Sequence, residues 1–141
     1  MLIGTYYNKI DEKGRLRMPL KLKDGLGSGY YITKGDSGCL YAMSKAAFDA
    51  LFEKIQSTHF SDSQTKKMTR LFYSSAYLAE EDNQGRFLLP QTLREFADIT
   101  KDVVIIGAGE RAEIWSEKNW SDYNQGGDID SLFEGLSKYD L

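Results

Sequence analysis

Residues 11–19 read Asp11-Glu12-Lys13-Gly14-Arg15-Leu16-Arg17-Met18-Pro19, and residues 82–90 repeat the pattern as Asp82-Asn83-Gln84-Gly85-Arg86-Phe87-Leu88-Leu89-Pro90. The two copies are 71 positions apart (82 − 11), about half of the 141-residue chain. Each copy holds an Asp, a Gly three residues later, then an Arg, and each ends in one of the chain's two prolines. A recurrence with such fixed spacing indicates an internal duplication.

Each copy has the composition of a tight turn between two strands. The Asp can bond backbone N–H groups at the start of a type I turn, and the Gly tolerates a positive φ at its fourth position. Apolar and β-prone residues precede the two turns, at 2–10 and 72–78. We therefore expect two β-hairpins, with each outgoing strand starting at the Arg. The Pro of each copy suits the first position of a short helix, over 20–26 and 91–97.

The segments after the turns also recur. Strands are expected at 30–33 and 39–42 around a turn at 35–38, and Ser44 is a plausible N-cap for a helix with apolar residues at helical spacing. The second half repeats this order with strands at 103–106 and 113–115, the cap Ser116 and a helix containing Trp120. Ser61 with Gln64 resembles a capping box for a helix carrying Met68 and Leu71.

The chain therefore divides into four parts. We expect a first half at 1–56, a helical connection at 57–71, a second half at 72–123 and an acidic tail at 124–141. The tail could form a weak helix over 129–136 or be disordered. Each half is too small to bury a sufficient core alone, so pairing of the halves or oligomerisation is expected.

Composition limits the class of protein. The single cysteine, Cys39, excludes an intramolecular disulfide, suits a reducing cytoplasm and fits a small buried hydrophobe. No apolar run approaches a membrane span, and no signal peptide is visible, so a soluble intracellular protein is expected.

The residues point away from an enzyme. One His, His59, and one Cys cannot form a zinc site, His59 is expected in a linker, and no nucleophile-plus-base spacing is present. The adjacent pair Glu80 and Glu81 would point to opposite faces of a strand, so it would not converge on a substrate. We expect no catalytic residue, no cofactor and no metal.

Charge is unevenly distributed along the chain. The net charge is −3, and residues 124–141 account for it with four acids against one lysine. Residues 9–23 carry six basic and two acidic side chains, which gives +4, whereas the equivalent residues 80–94 carry two and three, which gives −1. A local basic stripe of this kind attracts phosphate even on a protein without net positive charge.

The chain resembles the MraZ family of bacterial transcriptional regulators. The resemblance rests on the twin Asp-x-x-Gly-Arg copies with Gly35-Asp36-Ser37-Gly38-Cys39-Leu40, Phe72-Tyr73-Ser74-Ser75-Ala76 and Glu113-Ile114-Trp115-Ser116. It implies an α+β, mainly β fold: a pseudo-twofold barrel of two intertwined AbrB-like β-hairpin halves with short flanking helices. It also implies a ring-like homo-oligomer in the cytoplasm, associated with the nucleoid. Its partner would be double-stranded DNA, at short direct repeats upstream of the division and cell wall operon, including its own promoter.

The resemblance also implies which residues bind DNA. The family's Asp-x-x-x-Arg motif maps onto Asp11 with Arg15 and onto Asp82 with Arg86. Without the resemblance, both pairs are best explained as hairpin salt bridges that fix a turn. With it, Arg15 is expected to contact guanine or phosphate while the neighbouring Asp holds its guanidinium.

The other basic residues are given lesser roles. Lys13, Arg17 and Lys21 are expected at the DNA backbone, and Lys9 and Lys23 are expected to be solvated. Arg86 is expected chiefly to fix its own turn, because acids surround it. Arg17 departs from the family pattern, where an apolar residue is expected, and the acidic tail is longer than the repeat requires. Two other classes stay open at this point: an antitoxin-like module of the same fold with a protein partner, and an enzyme using Glu80 and Glu81.

Overall fold

The computed structural model describes residues 1–57 and 63–140. The strands are β1 (Thr5–Lys9), β2 (Arg15–Arg17), β3 (Gly29–Lys34), β4 (Leu40–Ser44), β5 (Tyr77–Glu80), β6 (Arg86–Leu88), β7 (Asp102–Gly107) and β8 (Ala112–Ser116). The helices are α1 (Leu20–Leu26), α2 (Lys45–Ser57), α3 (Ser63–Ser74), α4 (Gln91–Phe96), α5 (Glu117–Asn124) and α6 (Ile129–Ser137). Among these residues, more lie in helices than in strands. The fold is therefore mixed α/β, and the expectation of a mainly β chain is wrong.

The strands form two antiparallel sheets. Six strands lie in the order β1-β7-β8-β4-β3-β5, and β2 pairs with β6 in a separate two-stranded ribbon. Exchanging each strand of the first half with its counterpart in the second leaves this order unchanged. The halves are therefore intertwined with pseudo-twofold symmetry, since β1 of the first pairs with β7 of the second and β5 of the second pairs with β3 of the first.

This pairing corrects the expectation of two local hairpins. Each turn is closed by its own backbone, as in the bonds from Gly14 N to Asp11 O (3.0 Å) and from Asp11 N to Arg15 O (2.9 Å). The strands on the two sides of the turn then pair with strands of the other half. Since β1 and β5 lie at opposite edges of the six-stranded sheet, the described strands form an open sheet and a ribbon, not the single closed barrel that was expected.

The main core lies where the two halves meet. Leu16 of β2 and Phe87 of β6 face each other in register and are each 1% exposed. The Phe87 ring makes an edge-to-face contact with Tyr30 of β3, with centroids 5.5 Å apart. Residues from both halves thus fill one hydrophobic cluster, which supplies the burial that neither half has alone.

Helices cover the outer face of the large sheet. On the first half, Phe48 of α2 stacks on Tyr31 with centroids 4.3 Å apart. On the second half, Trp120 of α5 packs against Trp115 at 5.3 Å. Cys39 is buried in the same cluster as Trp115, which confirms its interpretation as a small buried hydrophobe.

Several helix boundaries agree with the sequence. Ser44 and Ser116 accept hydrogen bonds from the backbone N–H groups of Ala47 and Asn119, each at 3.1 Å, which confirms both N-caps. The tail does form a helix, α6, and Asp128 caps its N-terminus by accepting from Ser131 N at 2.7 Å. Pro19 and Pro90 precede their helices by one residue instead of opening them.

One boundary differs from the sequence expectation. Phe72 and Tyr73 lie in α3, which runs to Ser74, so the strand expected from residue 72 starts only at Tyr77. Their rings contact each other and Phe48, and this packing favours the helix over the β-propensity of the residues. His59 and Ser61, the latter proposed for a capping box with Gln64, lie outside the described residues. Among those described, no helix combines the length and apolar character needed to span a membrane.

Candidate nucleic-acid interface

The first turn holds Arg15 in a defined orientation. One carboxylate oxygen of Asp11 accepts hydrogen bonds from the backbone N–H groups of Lys13 (2.9 Å) and Arg15 (2.8 Å). The other oxygen accepts from Nε of Arg15 at 2.7 Å. In the described contacts the terminal nitrogens of that guanidinium make no hydrogen bond. The turn therefore positions the guanidinium and leaves its donor fork to meet an external acceptor.

The second turn repeats this geometry. Asp82 accepts from the backbone N–H groups of Gln84 (2.9 Å) and Arg86 (3.0 Å) and from Nε of Arg86 (2.9 Å). These backbone N–H bonds lower the pKa of both Asp82 and Asp11 below the ordinary aspartate value. Both carboxylates are therefore ionised at neutral pH. The fixing of a turn by its own Asp and Arg is thus common to both copies and does not distinguish them.

The ribbon brings the two motifs together. In the β2–β6 register Arg15 lies opposite Leu88, and Arg17 lies opposite Arg86. Since side chains alternate along a strand and the central pair is buried, these four residues share the outer face. We call this outer face, formed by Arg15, Arg17, Arg86 and Leu88, the ribbon face. It presents three arginines from the two halves on one surface.

The remaining basic residues of the stripe fall into two groups. Lys13, Arg17 and Lys21 are exposed, as a role at the DNA backbone requires. Lys9 is 70% exposed and lies 3.8 Å from Asp102. The expectation that Lys23 is solvated is wrong: its side chain is 24% exposed, and its Nζ lies 3.0 Å from a carboxylate oxygen of Glu81.

Sequence reasoning missed Arg94, which lies in α4 but contacts the first turn. A Cβ built on Gly14 would lie 3.0 Å from the guanidinium carbon of Arg94. Lys23 has the mirrored position, because a Cβ built on Gly85 would lie 3.2 Å from its Nζ. These two cations occupy equivalent places in the duplication, 71 residues apart, and that equivalence is the signal that could have identified them.

The acidic pair considered for catalysis does not converge. Glu81 binds Lys23 and accepts a 3.4 Å hydrogen bond from the hydroxyl of Tyr30, whereas Glu80 is exposed at the end of β5. The two carboxylates therefore have different surroundings, although Glu81 lies one residue beyond β5 and the alternation expected along a strand is not tested for this pair.

A second polar cluster surrounds Cys39. Possible metal-ligating atoms of Asp36, Cys39 and Glu113 lie within 4.8 Å of one another. The two oxygens of Glu113 accept from Nη2 of Arg111 at 2.9 Å and from the indole N–H of Trp115 at 3.1 Å. Burial raises the pKa of the Cys39 thiol to about 12, which favours its protonated form. The hydrogen bonds of Glu113 join its carboxylate to Arg111 and to Trp115 of β8.

Comparison with known proteins gives consistent matches. The family model described as "MraZ protein, putative antitoxin-like" matches residues 1–71 and again residues 72–137. Proteins named transcriptional regulator MraZ are similar over the full length. The one from Finegoldia magna is 42% identical with all of both chains covered, and the one from Heliobacterium modesticaldum is 43% identical with the same coverage. The one from Clostridium beijerinckii is 43% identical over 97% of each chain.

Proposed function

This chain belongs to the MraZ family of transcriptional regulators, and on that premise we propose that it binds promoter DNA through the ribbon face. The observation that carries the proposal is the Asp11–Arg15 geometry. A guanidinium held through Nε by a carboxylate keeps its terminal nitrogens oriented before the ligand arrives. Less conformational entropy is then lost on binding.

The shape of the ribbon supports a groove contact. A two-stranded β-ribbon fits the major groove of B-DNA, and arginine pairs there with O6 and N7 of guanine. Arg15, Arg17 and Arg86 all lie on the ribbon face. Leu88, on the same face and 49% exposed, offers an apolar contact of the kind that suits a thymine methyl group.

The exposed lysines support a second class of contact. Lys13 lies in the first turn, just before β2, and Lys21 lies in α1, just after it, and both are exposed. Flexible ammonium groups suit phosphate oxygens, which set the register of the protein on the duplex without reading bases. We assign Lys13, Arg17 and Lys21 to this docking role, while Asp11 and Asp82 act by holding their arginines.

We propose that the protein acts as a ring-like homo-oligomer. One ribbon face per chain is a small footprint for specific binding, but several faces on one assembly can hold successive direct repeats and gain affinity through effective concentration. Exposed apolar side chains support self-association. They lie on α2 and α3 (Phe52, Met68, Leu71) and on α6 (Ile129, Leu132, Phe133).

The target and location follow from the family proposal. The expected sites are short direct repeats upstream of the division and cell wall operon, which includes the protein's own promoter. Binding there places the protein in the cytoplasm at the nucleoid.

A titration tests the DNA proposal. Fluorescence anisotropy on a labelled fragment containing the promoter repeats, and on a fragment with the repeats scrambled, is measured across a salt series. We expect tighter binding to the repeats, with log affinity falling linearly with log salt by about 0.9 per phosphate neutralised. Equal affinity for both fragments would contradict sequence-specific binding, and a flat salt response would contradict binding to DNA phosphate.

Light scattering after gel filtration tests the assembly. A mass above that of a dimer, alone or with the promoter fragment, is expected at micromolar concentration. A strictly monomeric protein under both conditions would contradict the ring.

The antitoxin-like description of the matching family keeps one alternative open. In that alternative the fold acts through a protein partner. Affinity purification from the native host, followed by mass spectrometry and sequencing of bound DNA, separates the two. Enrichment of promoter fragments supports the regulator, and a stoichiometric co-purifying protein without such enrichment supports the alternative.

A further inference from the structure

Arg94 and Lys23 each contact the turn of the half to which they do not belong. Arg94 belongs to the second half, yet both of its terminal nitrogens lie 3.2 Å from where a Cβ on Gly14 of the first turn would be. Lys23 belongs to the first half and lies against Gly85 of the second turn. Each turn therefore carries a cation supplied by the other half, next to a glycine without a side chain.

The two crossed cations differ in what neutralises them. Lys23 forms an ion pair with Glu81, in which both side chains are largely buried. The residue equivalent to Glu81 in the first half is Ile10 (81 − 71), which is 6% exposed and has no charge. Within residues 1–57 and 63–140, no acid forms an ion pair with Arg94, and its buried Nε has no hydrogen-bond partner.

Among the acids of the first turn, of α4 and just after α4, Glu12 is exposed and forms no ion pair with Arg94, and three others have partners elsewhere. Asp11 is bound to Arg15 and to the backbone of its own turn. Glu95 accepts from the side chain of Gln91 at 2.8 Å, and Asp98 accepts from the side chain of Asn119 at 3.1 Å. The Arg94 guanidinium thus adds positive charge to the first turn, beside Lys13 and Arg15.

We propose that Arg94 and the first turn form a phosphate-binding site assembled from both halves. The ligand is a phosphodiester group of the DNA backbone, next to the base pair that Arg15 meets. This inference rests on the proposed function. A planar guanidinium bonds two oxygens of one phosphate, and packing against Gly14 holds it in place for that contact. The second turn lacks such a site, because Glu81 already neutralises Lys23.

Two substitutions at Arg94 test the site. Arg94→Gln removes the charge and should reduce the slope of log affinity against log salt by about 1. It should also lower the affinity for the repeat fragment and for the scrambled fragment by the same factor. Arg94→Lys keeps the charge and should keep most of the slope. A residue that only supported the fold would leave the slope unchanged in both variants.

The second turn provides matched controls. Lys23→Gln removes a charge that is already neutralised, so the salt slope should stay at the wild-type value. Glu81→Gln leaves Lys23 without its acid, so affinity for both fragments and the salt slope should rise. Thermal unfolding of every variant identifies the temperatures at which all of them are folded, and the titrations are made there.

A measurement on the unmodified chain covers the case in which Arg94→Gln does not fold. Phenylglyoxal modifies accessible arginines, and mass spectrometry quantifies the extent at each position. Arg94 should be protected when the promoter fragment is bound, while Arg111, whose side chain is 36% exposed and which lies outside the ribbon, should react equally with and without DNA.

The possible failures are distinguishable. If the wild-type chain binds DNA with a linear salt dependence but Arg94→Gln keeps the full slope, or if DNA leaves Arg94 unprotected, the inference is wrong and the proposed function stands. If the wild-type chain shows no salt-dependent DNA binding, the proposed function itself is wrong.

Discussion

Arg17 of β2 and Arg86 of β6 are register partners across the two-stranded ribbon, one from each copy of the repeated motif. Like charges directly opposite each other in an antiparallel pair destabilise a sheet. Both side chains lie on the outer face of the ribbon. A polyanion bound there would attract both arginines and so offset the repulsion between them.

Replacing Arg17 by leucine should separate stability from binding. Arg17→Leu removes the opposed charges and should stabilise the fold by roughly 0.2–1 kcal/mol at low salt, with the gain shrinking as salt screens the repulsion. The same change should lower the salt slope of DNA binding by about 1. Chemical denaturation and anisotropy titration measure the two effects. Lys21→Leu is the control, since it removes an exposed charge that has no opposing arginine, and a similar stabilisation there would argue against the repulsion.

Arg15→Ala and Arg86→Ala should differ in their effect on binding. The first turn combines Lys13, Arg15 and Arg94 with one exposed acid, Glu12. Beside the second turn, Glu80 is exposed and Glu81 neutralises Lys23. Loss of Arg15 should weaken promoter binding by about 1–3 kcal/mol per contact if it reads a base. Loss of Arg86 should weaken binding less and disturb folding or assembly more. Titration with thermal unfolding in parallel checks this, and equal binding losses at unchanged stability would contradict the asymmetry.

The turns should also make the protein sensitive to acid. Backbone N–H groups of Arg15 and Arg86 hold the pKa of Asp11 and Asp82 below the ordinary 3.8, so the folded state binds these protons more weakly than the unfolded state. The stabilisation is therefore complete above pH 3.8 and is lost as pH falls through the folded pKa values.

The double variant Asp11→Asn with Asp82→Asn tests this. It should unfold at a lower temperature near neutral pH and show a flatter decline of stability with acid. Asp24→Asn, which changes an exposed aspartate outside the turns, should keep the wild-type curve. A double variant whose acid decline matches that of the wild type would show that other groups dominate.

Gly107→Ala should damage the exchange of strands between halves. A Cβ at Gly107 of β7 would overlap backbone atoms of Leu2 and Ile3, and its N–H donates to Gly4 O at 2.9 Å. Because backbone cannot rotate away as a side chain can, we expect a loss of about 1–3 kcal/mol in the free energy of unfolding. Gly135→Ala in α6 meets no atom within 4 Å and should be neutral or stabilising by up to about 1 kcal/mol. Denaturant titration compares the two, and equal stabilities would show that the N-terminal segment moves aside at little cost.

Local signals account for what the sequence predicted well. The Asp–Gly–Arg turns and the caps Ser44 and Ser116 depend on contacts within four residues, so a single stretch of sequence contains all that determines them. The strand positions of β3, β4, β7 and β8 follow from short apolar runs between turn residues. The family resemblance then supplied the intertwining that no local pattern shows.

The sequence did not show which residues of one half contact which residues of the other. The side of a turn on which Lys23 or Arg94 lies depends on how the halves interlock, since each contacts a glycine more than sixty residues away. The same holds for the neutralisation of Lys23 by Glu81. A charge count over 80–94 assigned Arg94 to the second turn, whereas the fold brings it to the first.

The strand order is unchanged when the two halves are exchanged. This symmetry affects which substitutions such a protein can accept in one half alone. A homodimer made of one half would carry every substitution twice, so both turns would have to be equally basic or equally neutral. Joining the halves in one polypeptide removes that constraint, and the contrast between Ile10 and Glu81 is the kind of difference it permits. One side of a symmetric scaffold can then specialise in its ligand while the other remains free to retain the acid that stabilises it.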